Sequence, residues 1–382
     1  MRYGPVALTF KIICCCIRAF VIQLVSKFMQ WEMKQIMKIV VLNGGISTER
    51  DVSLVSGTQI YKALKSKGHD VILLDVYLGY EKDLAPGEED ALFTAGIDWA
   101  EKSAKVKETA PDIEAVKASR RLKSDELFGE NVIRICRAAD IVFMGLHGDF
   151  GENGKIQAAL DLYGIKYTGT DYLSSALAMD KTVTKALFKV NGVPTPESYI
   201  LIGPDDAYVP KFPSVVKVSS GGSSIGVFIV HDEKVYREAV KECYRFEGLV
   251  LVEQYIKGRE FTDCVFDGRP LPVVEIIPKQ GFYDYKNKYE AGATVEICPA
   301  EISDELTKRI QKVALDAYNA LRIKTYARMD ILMNEDGELF CLEANTLPGM
   351  TPTSLIPQEA RAEGTEFPEL CEKIIEVSLK KY

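Results

Sequence analysis

Two acids and an amide near the C-terminal end of the sequence have the spacing of a reactive site. Asp330 opens one apolar run and Glu343 and Asn345 close the next, in "MDILMNEDGELFCLEANTLPGMTPTSL", Met329 to Leu355. The turn residues Asn334-Glu335-Asp336-Gly337 between the runs predict a hairpin. Pairing would bring the three side chains toward one end of a sheet. Oxygen donors so grouped repel one another unless a cation joins them. A small set of hard oxygen ligands suits Mg²⁺, which keeps waters and substrate phosphates as its remaining ligands. The alternative is a solvated hairpin rim, and the fragment alone does not choose between them.

Other segments offer partners for a metal-bound nucleotide. In "VVKVSSGGSSIGV", Lys217 precedes a loop of small residues (Ser219, Ser220, Gly221, Gly222, Ser223, Ser224) whose backbone N–H groups can approach an anion closely. The order is not that of a Walker loop, because the lysine comes before the glycines. "MDKTVTK" adds Lys181 at a helix start, a second cation for a triphosphate. In "LVEQYIKGREF", Glu253 and Glu260 are placed to receive ribose hydroxyls, and the backbone from Glu253 to Ile256 to read an adenine edge. Arg328 lies two residues before Asp330, hence on the same strand face. Its planar fork suits a developing negative charge better than a lysine would. In "NTLPGMTPTSL", the Gly349 N–H and the Ser354 hydroxyl could bind a carboxylate or an oxyanion. Glu49, in "GGISTERDVS", stands at a helix N-terminus and gains a role only beside a substrate ammonium.

Composition narrows the partners. The chain has 382 residues, 47% hydrophobic, enough for two or three domains with sizeable cores. A formal charge of −8 argues against a nucleic-acid surface, which needs a basic face. Nine cysteines, six of them scattered singly, indicate neither a disulfide framework nor a zinc site, and suit a reducing compartment. With three histidines in all, any cation must sit on oxygen. Residues 1–36 stand apart: "KIICCCIRAFVIQLVSKFM" is apolar but broken by Arg18 and Gln23, short of a clean membrane span. A weak anchor, an amphipathic surface helix and a leader upstream of a start at Met37 are the competing readings, the last preferred because "MKIVVLNGG" opens a strand at once.

The elements that must position these residues form an α/β protein. From Met37 the pattern is βαβ: "IVVLN", an amphipathic segment to Lys67 stopped at Gly68, then "DVILLDV". Residues 78–130 read as a charged insertion with one or two surface helices. The pattern resumes with "NVIRICRAAD", the strand "IVFMGLHG", the helix "GKIQAALDLYG" and a short strand "IKYTGT". A second unit, 171–254, holds two helical segments and the strands "SYILI", "SVVKVSS", "GVFIV" and "LVLVEQYI". A third, 255–382, carries further strands, the loop "PKQGFYDYKNKYEAGATVEICPA", a helix capped by Ser303, the hairpin and a C-terminal helix.

In this order the segments "GGISTERDVSL", "LHGDFGENG", "YTGTDYLSSALAMDK", "VKVSSGGSSIGV", "EQYIKGREFT", "FYDYKNKY", "ARMD" and "LEANTLPGMTPTSLIP" resemble ATP-grasp ligases, and among them the D-alanine:D-alanine ligase family. The resemblance runs from Met37 to the C-terminus. It implies an ATP-grasp fold with an N-terminal Rossmann-like (pre-ATP-grasp) substrate-binding domain at 37–170, a central α+β subdomain at 171–254 and a C-terminal α+β catalytic subdomain at 255–382. It also implies ATP-dependent joining of two D-alanines through a D-alanyl phosphate for peptidoglycan, in the cytoplasm, by a homodimer.

Residue by residue, the resemblance assigns Lys181, Lys217, Glu253, Glu260 and Lys288 to ATP, with Val215 and Leu342 beside the adenine. Asp330, Glu343 and Asn345 would carry two Mg²⁺ (or Mn²⁺) ions. Glu49 would take the ammonium of the first D-alanine, with His147 close by, and Ser354 and Leu355 would meet the second. Arg328 and the Gly349 N–H would hold the oxyanion, while Ser223 and Tyr289 would close the loop 279–297 over the site as a lid. Departures exist: Lys217-Val218 replaces the usual Lys-Pro, Gly221 stands where an acid is common, and residues 1–36 have no family counterpart. Tyr289 follows the dipeptide-forming pattern, against D-lactate as acceptor. The alternatives are a ligase using D-lactate or D-serine and a nucleotide-binding regulator without catalysis. Stereochemistry and the base for the incoming amine are not legible from residues.

Overall fold

The structure is a computed structural model that describes residues 36–100, 111–221, 226–246, 249–279 and 294–382. The first of its sheets is parallel, with order β2-β1-β3, from β1 (Lys38–Asn43), β2 (Asp70–Asp75) and β3 (Ile141–Met144). Ile39 to Leu42 are fully buried, because parallel strands are covered on both faces and read as unbroken apolar runs. Helix α1 (Arg50–Ser66) joins β1 to β2 and stops where Gly68 adopts a φ of +89°.

Between β2 and β3 lie α2 (Glu89–Thr94), α3 (Ile113–Ser119) and α4 (Val132–Ala138); α5 (Asp149–Glu152) and α6 (Lys155–Leu162) follow β3. The short helices expected within 78–130 are therefore present. Only α3 lies wholly at the surface, however, since α2 buries Leu92 and Phe93 in the core of the parallel sheet. Two adjacent apolar residues suffice to dock one turn of a charged segment. The strand expected at "IKYTGT" reduces to a single bridge between Val142 and Tyr167, and the chain turns away at Gly169, φ +89°.

Helices α7 (Tyr172–Met179) and α8 (Lys181–Val190) come next, divided at Asp180, whose carboxylate accepts from the backbone of Thr182 and Val183 and so caps α8. The second sheet is antiparallel, order β4-β7-β5-β6, from β4 (Ser198–Leu201), β5 (Ser214–Val218), β6 (Val227–Val230) and β7 (Val250–Gln254). Helix α9 (Glu233–Cys243) covers it, packing Tyr236 and Val240 against Val216 and Val252.

The third sheet contains β8 (Gly258–Phe266), β9 (Arg269–Pro270), β10 (Val274–Pro278), β11 (Thr294–Ile297), β12 (Tyr326–Asn334) and β13 (Leu339–Asn345), in the order β11-β10-β8-β12-β13 with β9 on β8. Strand β11 corrects the reading of 278–300 as one loop: its last residues pair with β10. Helix α10 (Asp304–Ala320) begins at Ser303 as expected, the Ser303 hydroxyl accepting from Leu306 N, and buries Ile310, Val313 and Ala317. Ala178, Phe188 and Val193 join this core, so α7 and α8 pack on the large sheet and not on the four-stranded one. Helices α11 (Leu355–Ala362) and α12 (Phe367–Leu379) close the chain. Among the described residues no helix is long and apolar enough to cross a membrane.

Candidate active site

The hairpin forms as expected, with Gly337 at φ +79° and the Asn334 side-chain oxygen accepting from the backbone of Asp336 and Glu338. Its register contains a feature absent from the reading of alternation. Asp330 lies opposite Glu343 and Ile331 opposite Cys341, which leaves Leu342 without a partner across the ladder. Regular alternation would put Cys341 and Glu343 on one face. The extra residue breaks it, so Leu339, Cys341 and Ala344 enter the core while Glu343 and Asn345 join Arg328 and Asp330 on the opposite face.

On that face Asp330 is 5% exposed and fully engaged. Arg328 donates to both its oxygens at 2.9 Å, Asn345 Nδ2 donates to Oδ2 at 3.0 Å, and Thr262 Oγ1 from β8 donates to Oδ1 at 2.9 Å. Glu260, two residues from Thr262, shares its strand face. A cation here would be held by Glu343, the Asn345 amide oxygen and, in exchange for one of its own hydrogen bonds, Asp330. Among the described residues no group of three or more His, Cys, Asp or Glu could hold a metal. A Mg²⁺ ion held by so few protein donors would complete its shell with water and phosphate.

The lysines follow from the hairpin. Lys181 Nζ is 3.2 Å from Glu343 Oε2 and donates to Gly221 O at 2.8 Å, at the start of the small-residue loop. Lys217 Nζ is 2.7 Å from Glu253 Oε2, and Lys185 Nζ is 2.5 Å from Glu253 Oε1. One buried carboxylate thereby serves two buried ammoniums. Burial, with Lys181 nearby, pulls Lys217 down to about 7, while Glu343 opposes the shift. Glu253, which the sequence places for the ribose end of a nucleotide, is 3% exposed and held from both sides. Val215 and Leu342 are half-buried, Val215 on the Lys217 face of β5.

Opposite the hairpin stand the loops of the parallel sheet. Glu49 immediately precedes α1, 8% exposed, against Gly148, where an added Cβ would lie 2.8 Å from its Oε2. His147 is buried. Burial lowers its pKa against the pull of Glu49, so the ring is neutral at pH 7. Its Nδ1 faces Leu347 O at 2.8 Å and must donate, which leaves Nε2 to accept from Ser56 Oγ, also at 2.8 Å. Ser56 Oγ in turn accepts from Met350 N at 3.3 Å. Glu152 accepts from Gly148 N at 2.8 Å and Leu347 N at 3.3 Å. Burial, then Glu49, raises it to about 8. The turn carrying Gly349 is therefore gripped at 347 by His147 and Glu152 and at 350 by Ser56 of α1. The Arg328 charge lowers the pKa of both His147 and Glu152, though less than burial and Glu49 shift them.

Ser354 lies beside Gly349, whose added Cβ would sit 3.1 Å from its hydroxyl. That hydroxyl accepts from Thr351 N at 3.0 Å. Leu355 buries its side chain with Val274 and Ile276 in a small core, and its backbone opens α11 right after Ser354. Ser223, Lys288 and Tyr289 lie outside the described residues. Ser56, Glu152, Lys185 and Thr262 were missed from sequence. Lys185 had a signal, since it lies one helical turn after Lys181.

Solved structures share this fold. A D-alanine–D-alanine ligase of Bacillus anthracis complexed with ATP superposes with a TM-score of 0.68 at 29% identity, covering 90% of this chain and 98% of its own. The ligase of Coxiella burnetii gives 0.69 at 26% identity, covering 91% and 94%. The fold is that of the ATP-grasp class. Within that class, family profiles described as "D-ala D-ala ligase N-terminus" and "D-ala D-ala ligase C-terminus" match residues 38–170 and 207–376. D-alanine–D-alanine ligases of Pediococcus pentosaceus and Lacticaseibacillus casei are 43% and 39% identical, each over 91% of this chain and over 99% and 97% of their own lengths. The chain belongs to the D-ala D-ala ligase family.

Proposed function

We propose that the chain joins two D-alanine molecules into D-alanyl-D-alanine, with ATP converted to ADP and phosphate. The observation that carries this reading is one continuous charged band, Arg328, Asp330, Glu343, Lys181, Lys217 and Glu253, facing the Glu49 and His147 loops. The relatives of that name, and the ATP bound to one of them, support it.

A carboxylate is a poor acyl donor, so its oxygen first attacks the γ-phosphorus and the bond from phosphorus to the ADP oxygen breaks. Lys181 and Lys217 balance the charge of the phosphates. Glu253 and Glu260 hold the base and ribose end, with Val215 and Leu342 as apolar neighbours. Mg²⁺ or Mn²⁺ held by Asp330, Glu343 and Asn345 would neutralise charge on the transferring phosphoryl group. Glu49 receives the first ammonium, with His147 alongside. The second amine attacks the acyl carbon, loses a proton and expels phosphate, while Arg328 and the Gly349 N–H hold the tetrahedral oxyanion. Ser354 and the backbone of Leu355 receive the second carboxylate. The roles of Lys288, Ser223 and Tyr289 rest on the family resemblance alone, as do the homodimer and the cytoplasmic location.

ADP release with D-alanine, L-alanine, or D-alanine plus D-lactate tests the reading. D-alanine alone should support turnover, about a hundredfold faster than L-alanine. Equal rates, or ADP release that needs D-lactate, would contradict it.

A further inference from the structure

Lys185 has no part in the mechanism above, yet it is 2% exposed, and burial, with Lys217 nearby, pulls its pKa well below the usual lysine value. Burying an ammonium is costly unless excellent geometry compensates. Glu253 already has Lys217 at 2.7 Å, so neutralising that carboxylate does not by itself require a second lysine. Lys185 makes two contacts that lead in different directions. One is the ion pair to Glu253 on β7 of the four-stranded sheet. The other is a hydrogen bond of 2.7 Å to Thr195 Oγ1, and the Thr195 hydroxyl donates to Cys341 O on β13 at 2.8 Å. The Cys341 N–H donates to Pro194 O, again at 2.8 Å, so β13 is held at both polar atoms of that residue. Cys341 immediately precedes the bulge at Leu342 and lies two residues before Glu343.

We propose that Lys185 is a positioning residue that fixes the spacing between the two walls of the nucleotide cleft, the Glu253 wall on β7 and the Glu343 wall on β13, through Thr195. The inference rests on the ligase reading and extends it to a residue that meets no substrate. With Lys185 and Lys217 both on Glu253, the base end of the cleft is tied to the strand that carries the phosphate end. Loosening the tie lets the two ends of a nucleotide lose their common register. The D-alanine pocket, built on Glu49, His147 and the 347–350 turn, shares none of these bonds. The expected signature is therefore a defect in nucleotide affinity alone.

Lys185→Met keeps the length of the side chain and removes the charge, Lys185→Arg keeps the charge, and Thr195→Val cuts only the link to β13. Measured on the full chain, K185M should raise the KM for ATP about 10- to 100-fold, the loss usual when a residue supporting a ligand-binding group is removed, while the KM for D-alanine stays within about twofold. T195V should shift the KM for ATP in the same direction by a smaller factor, and K185R should recover part of the loss. Direct titration with a fluorescent ATP analogue reports the same order without turnover. An unchanged KM for ATP in K185M, equal rises in both KM values, or no effect of T195V would overturn the proposal. If K185M does not fold, T195V and K185R decide. Should the parent protein fail to ligate D-alanine, the function falls, and the titration still tests the brace.

Discussion

Arg328 gives two of its five N–H groups to Asp330 in the structure, one from Nε and one from Nη2. The bidentate pair fixes the plane of the guanidinium before any substrate arrives, and the remaining donors keep a set direction. A lysine would hold the charge and lose the direction. Arg328→Ala should therefore lower kcat by about 10²- to 10³-fold, the cost of losing one oxyanion donor, with ATP affinity little changed. Unchanged turnover would remove Arg328 from the chemistry. Lys217 makes a prediction of opposite character. In the free protein its pKa is lowered to about 7, so above that pH the unliganded site loses an ammonium. A bound triphosphate favours the charged form, so binding takes up a proton where the free lysine is neutral. ATP affinity should be level below pH 7 and fall as pH rises above it. Titration in buffers of different ionisation enthalpy at pH 8 should show the uptake, which should vanish in Lys217→Met.

At the scale of elements, the ends of strands do the positioning. Pairing of acids, lysines and strand ends was readable because turn residues and apolar runs fix where strands stop: Asn334 to Gly337 set the hairpin, and Lys217 lies near the end of β5 as expected. The bulge at Leu342 was not readable, since nothing in "LFCLEAN" distinguishes an extra residue from a regular one; only packing of Cys341 and Ala344 against α10 and its neighbours reveals it. Burial was not readable either. No local pattern reports that Lys185 and Glu253 are enclosed when the sheets come together. Strand β8 carries a further example. Asp263 is fully buried between Phe261 and Val265 of the core, with neither carboxylate oxygen hydrogen-bonded, and burial raises its pKa well above 3.8. A raised folded-state pKa means that stability is fully present below the unfolded value and lost as pH rises. Asp263→Val should stabilise the protein by about 1–3 kcal/mol at pH 8, the cost of an unsatisfied buried polar group, with the gain shrinking toward pH 4. Urea midpoints at the two pH values measure it, and a destabilised variant at pH 8 would contradict it.

At the scale of the molecule, the cleft depends on three sheets that are far apart in the chain. The hairpin of the large sheet brings acids and Arg328, the four-stranded sheet brings Lys217 and Glu253, and the loops of the parallel sheet bring Glu49 and His147. Sequence order and the eight family segments made the architecture and most of this cleft legible. The grip of Ser56, His147 and Glu152 on the 347–350 turn was not, because no local pattern reports a contact between residues some 200 to 300 positions apart in sequence. The central claim is that this cleft activates a D-alanine carboxylate by phosphoryl transfer before the second amine attacks. D-alanine labelled with ¹⁸O in its carboxylate tests it most directly. One labelled oxygen should appear in the released phosphate for each dipeptide formed, because the attacking carboxylate oxygen leaves with phosphorus. Dipeptide formed with unlabelled phosphate would contradict the account.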